Sequence, residues 1–419
     1  MKIAFLTLGC KLNYAETSTY ERGFSAAGLD VVPWREKADV YLVNTCSVTA
    51  MADTKSRNLI RRVHRSNPAA VIVVTGCSAQ LRRREIETIE GVSLVFGCNQ
   101  KSRVVPDTLM LLPDEAKSVD SPSEAEGSGV FAAFSTGERT RSFLKVQDGC
   151  DNLCAYCTVP YARGSSRNVS IEECVRNARE IASRGVREIV LTGVNTGDFG
   201  RTTGESFLDL LKALDAVEGI ERYRISSIEP NLITPQTIDW IASGTKFQPH
   251  FHIPLQTGSD ILLERMGRRY DTAFFASRIE YIRRSLEAPG KPLVFFGIDV
   301  MVGLPGETDE LFAETEAFIR SIRPAFIHVF PYSRRPGTPA AAMPGQVLQR
   351  VKAERVSVLE GLCGELHSDF VDRNRGVRER VLFESSCRDG MMEGYTGNYI
   401  RISRPWDAEL VGKLVDIII

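Results

Sequence analysis

The stretch Gly149-Cys150-Asp151-Asn152-Leu153-Cys154-Ala155-Tyr156-Cys157 carries three cysteines spaced C-x3-C-x2-C. Thiolates are soft ligands, and three on one short loop can hold three corners of an iron–sulfur cluster. A 4Fe–4S cube then keeps one iron without a protein ligand. An open position is what a chemical site needs and a structural site avoids; the alternative at this spacing is a zinc loop completed by a distant fourth ligand. A second set of thiols lies in Leu8-Gly9-Cys10, Asn44-Thr45-Cys46 and Thr75-Gly76-Cys77, each one step beyond an apolar run. Neighbouring parallel strands lie about 4.8 Å apart, so these thiols can converge on one edge of a sheet. Free cysteine also packs as a small hydrophobe, but core cysteines would more often fall inside the apolar runs. Phe96-Gly97-Cys98 repeats the pattern a fourth time. Asn99 and Lys101 already begin the exit from the domain, so Cys98 is not expected to be a fourth ligand.

The elements that must position these residues come next. At 419 residues the chain is long enough for two or three domains. Lys plus Arg number 52 and Asp plus Glu 53, so any nucleic acid must be held by local basic patches rather than by net charge. The first residues lack a signal peptide's pattern, and no apolar run approaches the roughly 20 residues of a membrane span. A soluble cytoplasmic protein, with no membrane partner, is expected. Its ten cysteines then argue for metal or redox chemistry rather than disulfides.

In residues 1–112, Ile3–Leu8, Val40–Asn44, Val71–Thr75 and Val92–Phe96 read as buried parallel strands, and Tyr14–Ala27, Ala50–Ser66 and Gln80–Ile89 as helices. This alternation predicts an α/β doubly wound parallel sheet, whose ligands gather beyond the carboxyl ends of the strands. Residues 113–140 read as a linker. From Ser142 the alternation resumes, with strands at Phe143–Val146, Glu188–Gly193, Arg222–Ile228, His250–Pro254, Leu293–Val302 and Phe326–Phe330. Six units over 141–372 fit a partial (β/α)6 barrel better than an eight-unit one. The C-x3-C-x2-C loop follows its first strand, at the end where barrel sites are built. Residues 373–419 read as short alternating strands of a small β-barrel.

With Tyr156 before its last cysteine, the loop resembles the signature of the radical S-adenosylmethionine (SAM) enzymes, in which the open iron chelates SAM. The blocks around Cys10, Cys46 and Cys77 resemble the N-terminal domain of the methylthiotransferases. The form Leu8-Gly9-Cys10-Lys11, with Asn13 and Glu16, is most similar to the tRNA threonylcarbamoyladenosine methylthiotransferases. The tail resembles the TRAM RNA-binding module, with Tyr395, Tyr399 and Arg401 offered to RNA. This resemblance implies two 4Fe–4S clusters, on Cys150, Cys154 and Cys157 and on Cys10, Cys46 and Cys77. The first splits SAM reductively, and the resulting radical takes hydrogen from carbon 2 of the adenosine. The second carries the sulfur, which another SAM methylates. It further implies SAM contacts at Tyr156, at Gly193 and Asn195 in the glycine-rich loop after the second strand, at Glu229 on the rim, at Gln256 and Ser259, and at Met301. His252 is read as structural, with Asp299 and Met301 facing the barrel interior. The partners implied are the anticodon stem-loop of tRNA, an electron donor of flavodoxin or ferredoxin type, and a sulfur donor; a monomer is expected. The alternatives are the same chemistry on isopentenyladenosine tRNA or on a ribosomal protein, and a non-catalytic metal-bearing RNA-binding protein. Basic clusters at Arg57–Arg65, Arg82–Arg84, Arg268–Arg269 and Arg373–Arg380 are candidate RNA contacts. Cys174, Cys363 and Cys387 are read as packing residues.

Overall fold

The computed structural model describes residues 1–113, 130–136 and 140–419, so most of the expected linker lies outside the described residues. The chain divides into two compact units that interleave in sequence. The first comprises Met1–Ser135, Phe143–Leu153 and Cys157–Val169; the second comprises Thr136–Ser142, Cys154–Tyr156 and Ser170–Ile419.

In the first unit β1 (Lys2–Thr7), β2 (Asp30–Val31), β3 (Val40–Thr45), β4 (Val71–Gly76) and β5 (Val92–Val95) form a parallel sheet in the order β2-β1-β3-β4-β5. Alternate residues of β3 enter two separate cores: Val40 and Leu42 pack with Tyr20, Phe24 and Val104, whereas Tyr41 and Val43 pack with Ile60, Val63 and Ile86. Burial on both faces is why these strands read as continuous apolar runs. The two-residue β2 carries no period and was not expected. Helix Ala50–Ser66 forms where expected, and its N-cap Thr49 accepts a hydrogen bond from Ala52 N–H at 3.1 Å. The expected helix Gln80–Ile89 is instead two short helices, Cys77–Leu81 and Arg83–Glu87, because Arg82 leaves the helical region at φ −126°. Strand β6 (Arg141–Lys145) is followed by the ribbon of β7 (Gln147–Asp148) and β8 (Arg167–Asn168), which pair antiparallel.

In the second unit β9 (Glu188–Thr192), β10 (Arg222–Ile225), β11 (His250–His252), β12 (Phe295–Val302) and β13 (Phe326–Pro331) run parallel. Ile228 N–H donates to His252 O at 3.1 Å, which joins the β9–β10 pair to the other three strands. The helices between them begin at Ser170, Ser206, Thr234, Asp271 and Thr308, each of whose side chains accepts a backbone N–H of the first turn. Each such cap contributes about 1 kcal/mol. After the long helix Gln349–Arg373 comes an antiparallel sheet of β14 (Arg378–Arg388), β15 (Met391–Tyr395), β16 (Arg401–Pro405) and β17 (Leu414–Ile418), in the order β16-β15-β14-β17. The segment Gly394–Ile402 turns back between Thr396 and Ile400, with Tyr399 at φ 67°.

This sheet is bolted to the barrel by buried charge. Glu188 accepts from Arg224 Nε at 2.7 Å and lies 2.6 Å from Arg222 Nη2. Arg224 also donates to the carbonyls of Thr396 and Gly397, both at 2.7 Å, and Arg222 to those of Arg380 and Tyr395. Tyr395 and Tyr399 stack at 4.8 Å with the Arg141 guanidinium over both rings. They therefore serve docking rather than the open RNA surface expected of them. Cys387 is exposed rather than packed, whereas Cys174 and Cys363 are buried as expected.

Burial alone would raise the Glu188 carboxyl, but Arg224, Arg222 and Arg141 outweigh it and hold it down at about 2. A depressed carboxyl stabilises the fold fully above its ordinary value of 4.5 and loses that contribution as pH falls toward 2. Glu188→Gln, which strands two buried guanidinium groups, is expected to cost about 3–5 kcal/mol near neutral pH. Denaturant melts from pH 7 to pH 3 should show the gap between wild type and variant narrowing below about pH 5.

Candidate active site

Cys10, Cys46 and Cys77 follow β1, β3 and β4 at the carboxyl edge of the first sheet. Two glycines permit the approach of these loops. Gly9 sits at φ 106°, and a Cβ there would lie 2.8 Å from Cys46 Cβ; Gly76 sits at φ 100°, where a Cβ would lie 2.4 Å from Thr45 O. Asn13 Nδ2 ties the loops together by donating to Leu8 O at 2.7 Å and Thr45 O at 3.0 Å. Burial pushes the Cys46 thiol up to about 11, and the neighbouring Cys77 and Cys10 add to the rise. Cys77 is pulled down to about 6 by the Cys98 thiol hydrogen-bonded to it, against its own burial, with Arg163 and Lys101 adding to the pull. Cys98 thus stands at the trio as a fourth thiol. Phe96 N–H donates to Val74 O at 2.8 Å, extending the parallel pairing of β4 and β5 and keeping the Gly-Cys ends of both strands abreast.

Beneath the trio lies a closed set of charges that sequence reasoning missed. Glu16 meets Lys101 Nζ at 2.6 Å, Lys145 Nζ at 2.8 Å and Arg163 Nη1 at 3.3 Å. Asp148 meets Lys145 at 2.7 Å, Arg163 at 2.8 Å and Lys101 at 3.1 Å. Arg163 Nη2 donates to Asn13 Oδ1 at 2.7 Å. None of the five ionic side chains is more than 2% exposed. Burial would raise the Glu16 carboxyl, but Lys101, Lys145 and Arg163 outweigh it and hold it at about 2. The available signal was a lysine and an aspartate, Lys145 and Asp148, set in an otherwise apolar strand segment.

In the C-x3-C-x2-C loop, Cys150 and Cys157 belong to the first unit. Asn152 N–H points at Cys150 Sγ and Val159 N–H at Cys157 Sγ, both at 3.4 Å. Cys154 and Tyr156 belong to the second unit, where Ala155 is held by backbone bonds to Met266 and Ala340. Arg268 Nη1 donates to Cys154 Sγ at 3.1 Å and to Tyr156 OH at 3.5 Å, and Nη2 lies 2.5 Å from Glu229. Arg268, a candidate RNA contact with Arg269, has a buried side chain whose polar partners are Cys154, Tyr156, Glu229 and the nearby Tyr270.

The other expected contacts fall in the second unit. Gly193 and Asn195 follow β9, and Asn195 Oδ1 accepts from Glu229 N–H at 3.2 Å. Gln256 is held at φ 73° by two backbone bonds to β12, a strain of about 1–3 kcal/mol of the sort found at functional sites. The Ser259 hydroxyl is buried with no hydrogen-bond partner among the described residues. Met301 and Tyr156 both pack on the cluster of Ala155, Leu262, Met266, Leu304 and Tyr332. Of the basic clusters, Arg57 pairs with Glu85, Arg83 with Glu87 and Arg380 with Glu221. Arg335, on the loop after β13, is buried.

A model of the radical SAM superfamily matches residues 144–319, and one of the uncharacterized protein family UPF0004 matches residues 2–97. The threonylcarbamoyladenosine tRNA methylthiotransferase MtaB of Bacillus subtilis is 39% identical over 99% of this chain and 93% of its own length. That of Aquifex aeolicus is 37% identical over the full length of both. The chain belongs to the radical SAM methylthiotransferase family. A tRNA-2-methylthio-N(6)-dimethylallyladenosine synthase of Nitratidesulfovibrio vulgaris is 30% identical over 99% of the chain and 94% of its own length. Among solved structures, the radical SAM methyltransferase TsrM of Kitasatospora setae shares the fold with a TM-score of 0.57 at 14% identity, over 81% of this chain and 77% of that one. This family works with a 4Fe–4S cluster and SAM. The donor chemistry fits: none of the loop's cysteines is in a disulfide, and two of them face backbone N–H groups that stabilise thiolate sulfur. The orphaned Ser259 hydroxyl is a polar group awaiting a ligand. Among the described residues no helix is long and apolar enough to cross a membrane.

Lys101→Met should cost about 3–5 kcal/mol in urea denaturation of the cluster-free protein, because it breaks a buried network. Arg103→Met, which removes only an exposed pair with Asp107, should cost no more than about 0.5 kcal/mol.

Proposed function

We propose that this enzyme adds a methylthio group to carbon 2 of threonylcarbamoyladenosine, the nucleoside 3′-adjacent to the tRNA anticodon. The carrying observation is the convergence of Cys10, Cys46 and Cys77 on one sheet edge, since an enzyme that only cleaved SAM would need no second set of soft ligands. The full-length relatives named for that substrate supply its identity. In this reading Cys150, Cys154 and Cys157 hold the SAM-cleaving cluster, and Cys10, Cys46 and Cys77 hold an auxiliary one. When bound, the clusters supply the electron that cleaves SAM and the site from which sulfur is delivered.

The remaining work falls to the chain's own residues. Asn195 and Glu229, already hydrogen-bonded together, place one carboxylate at the rim for SAM, with Arg268 fixing its direction and reaching Cys154. Gly193 leaves backbone open for the amino acid end of SAM. Gln256 and Ser259 present polar groups, and Met301 and Tyr156 an apolar wall that excludes water. The excess of cations around Glu16 and Asp148 favours thiolate at Cys77 of the auxiliary trio. Residues 373–419 are assigned to tRNA through faces other than Tyr395 and Tyr399. An electron donor of flavodoxin or ferredoxin type and a sulfur donor complete the partners.

Anaerobically reconstituted enzyme should hold about eight irons per chain. With an anticodon stem-loop substrate, Cys150→Ala should abolish SAM cleavage. Cys46→Ala should keep cleavage, scored as 5′-deoxyadenosine, while losing the methylthio product in nucleoside mass spectrometry. Product from the Cys46 variant would sink the auxiliary-site reading.

A further inference from the structure

Three polar side chains of the second unit meet on the interior face of the barrel. His252 is on β11, Asp299 on β12 and His328 on β13, with ligand atoms all within 4.8 Å of one another. The strands pair in register, His252 beside Gly297 and Asp299 beside His328, so all three project to one side. His252 Nε2 lies 2.8 Å from Asp299 Oδ1; the imidazole N–H donates and the carboxylate fixes the ring. The imidazoles of His252 and His328 are 5.4 Å apart, and His328 is flanked by Phe326 and Phe330. Gly297 contributes no side chain beside His252, and a Cβ there would lie 3.2 Å from Phe295 Cε1 and 3.9 Å from His252 Cδ2. The His252 and Asp299 side chains are about one-fifth exposed, at 21% and 22%, and His328 is exposed. This is a water-accessible polar floor rather than a satisfied core pair.

Its location ties it to the chemistry. Met301, two residues beyond Asp299 on the same face of β12, packs on the cluster that also carries Tyr156 of the cysteine loop. Two strand residues span about 7 Å. A purine held for reaction at carbon 2 turns its N6 substituent to a different edge, so the substituent needs a subsite set apart from the reacting carbon.

We propose that His252, Asp299 and His328 form the subsite for the N6 substituent and select a polar, carboxylate-bearing side chain over an isoprenoid one. The proposal rests on the threonylcarbamoyladenosine reading above. A threonylcarbamoyl group offers a carboxylate as acceptor and a hydroxyl and urea N–H groups as donors. The His328 imidazole donates to the carboxylate, and Asp299, oriented by His252, accepts from the hydroxyl or N–H. A dimethylallyl group offers no polar atom and would strip water from all three side chains without replacement. A site built on hydrogen bonds rejects the analogue that lacks them far more strongly than an apolar pocket rejects a polar one.

The experiment uses the reconstituted full-length enzyme and three anticodon stem-loops, bearing threonylcarbamoyladenosine, its carboxyl methylamide, or isopentenyladenosine. His328→Phe keeps an aromatic ring between Phe326 and Phe330, and Asp299→Asn keeps the shape; iron content and thermal melting check that each variant is folded. For wild type the methylamide should lower kcat/KM about ten- to hundred-fold, mainly through KM, as expected for one lost charge-assisted hydrogen bond. In His328→Phe the acid and the methylamide should become nearly equal, and the preference over isopentenyladenosine should fall by a similar factor. Asp299→Asn should weaken both threonylcarbamoyl substrates alike. If the wild type modifies the threonylcarbamoyl substrate but His328→Phe keeps its full discrimination against the methylamide, the subsite is wrong and the function stands. A wild type inactive on threonylcarbamoyladenosine overturns both.

Discussion

The buried ion network of Glu16, Asp148, Lys101, Lys145 and Arg163 is the constraint on which the first unit depends. Its members come from the helix after Cys10, the exit after Cys98, β6, β7 and the helix after Cys157. Five charges out of water are costly, and such a set repays that cost only when every partner is present with good geometry. Removing one member leaves the others uncompensated, so segments distant in sequence are made interdependent. Three cations face two carboxylates, and the residual positive charge lies where Cys10 and Cys77 interact with Arg163. The same arrangement that holds the loops together therefore also favours negative sulfur at Cys77.

The second unit uses buried charge differently. Arg222 and Arg224, both paired with Glu188, direct their surplus hydrogen bonds to backbone carbonyls of the C-terminal sheet. Arginine suits this because its planar fork offers five donors that serve a carboxylate and several carbonyls at once. Arg268 repeats the device near the chemistry, dividing its donors among a carboxylate, two phenol oxygens and a cysteine sulfur. Hydrogen bonds to ligand sulfur are among the factors that set a cluster's potential, so this guanidinium bears on electronics as well as position.

Most of the strands were legible because each is buried on both faces or alternates regularly. Val40–Thr45 and Val71–Gly76 differ from their expected ends by one residue, and Ala50–Ser66 has the expected bounds. The failures lie where local pattern is silent or outweighed by its surroundings. Arg82 breaks a helix that propensity alone would continue, and Thr396–Ile400 reverses at Gly397-Asn398, a turn signal set among strand-forming residues. Tyr395 and Tyr399 looked like a stacking surface because aromatic side chains read alike whether they meet a base or a guanidinium. Arg268 looked exposed because arginine usually is, and only a converging set of acceptors makes its burial tolerable.

The sequence by itself determined the two sets of cysteines, their positions beyond strand ends, and the α/β class of both units. These follow from spacing and periodicity, which are properties of neighbours along the chain. Only the tertiary structure decided that Cys98 joins the first trio, that Glu16 and Asp148 share three cations, and that His252, Asp299 and His328 face one another across three strands. Each of those facts depends on which residues of different strands or helices lie side by side. Register and packing angle set that, through energies summed over the whole fold, and no local stretch of sequence contains them.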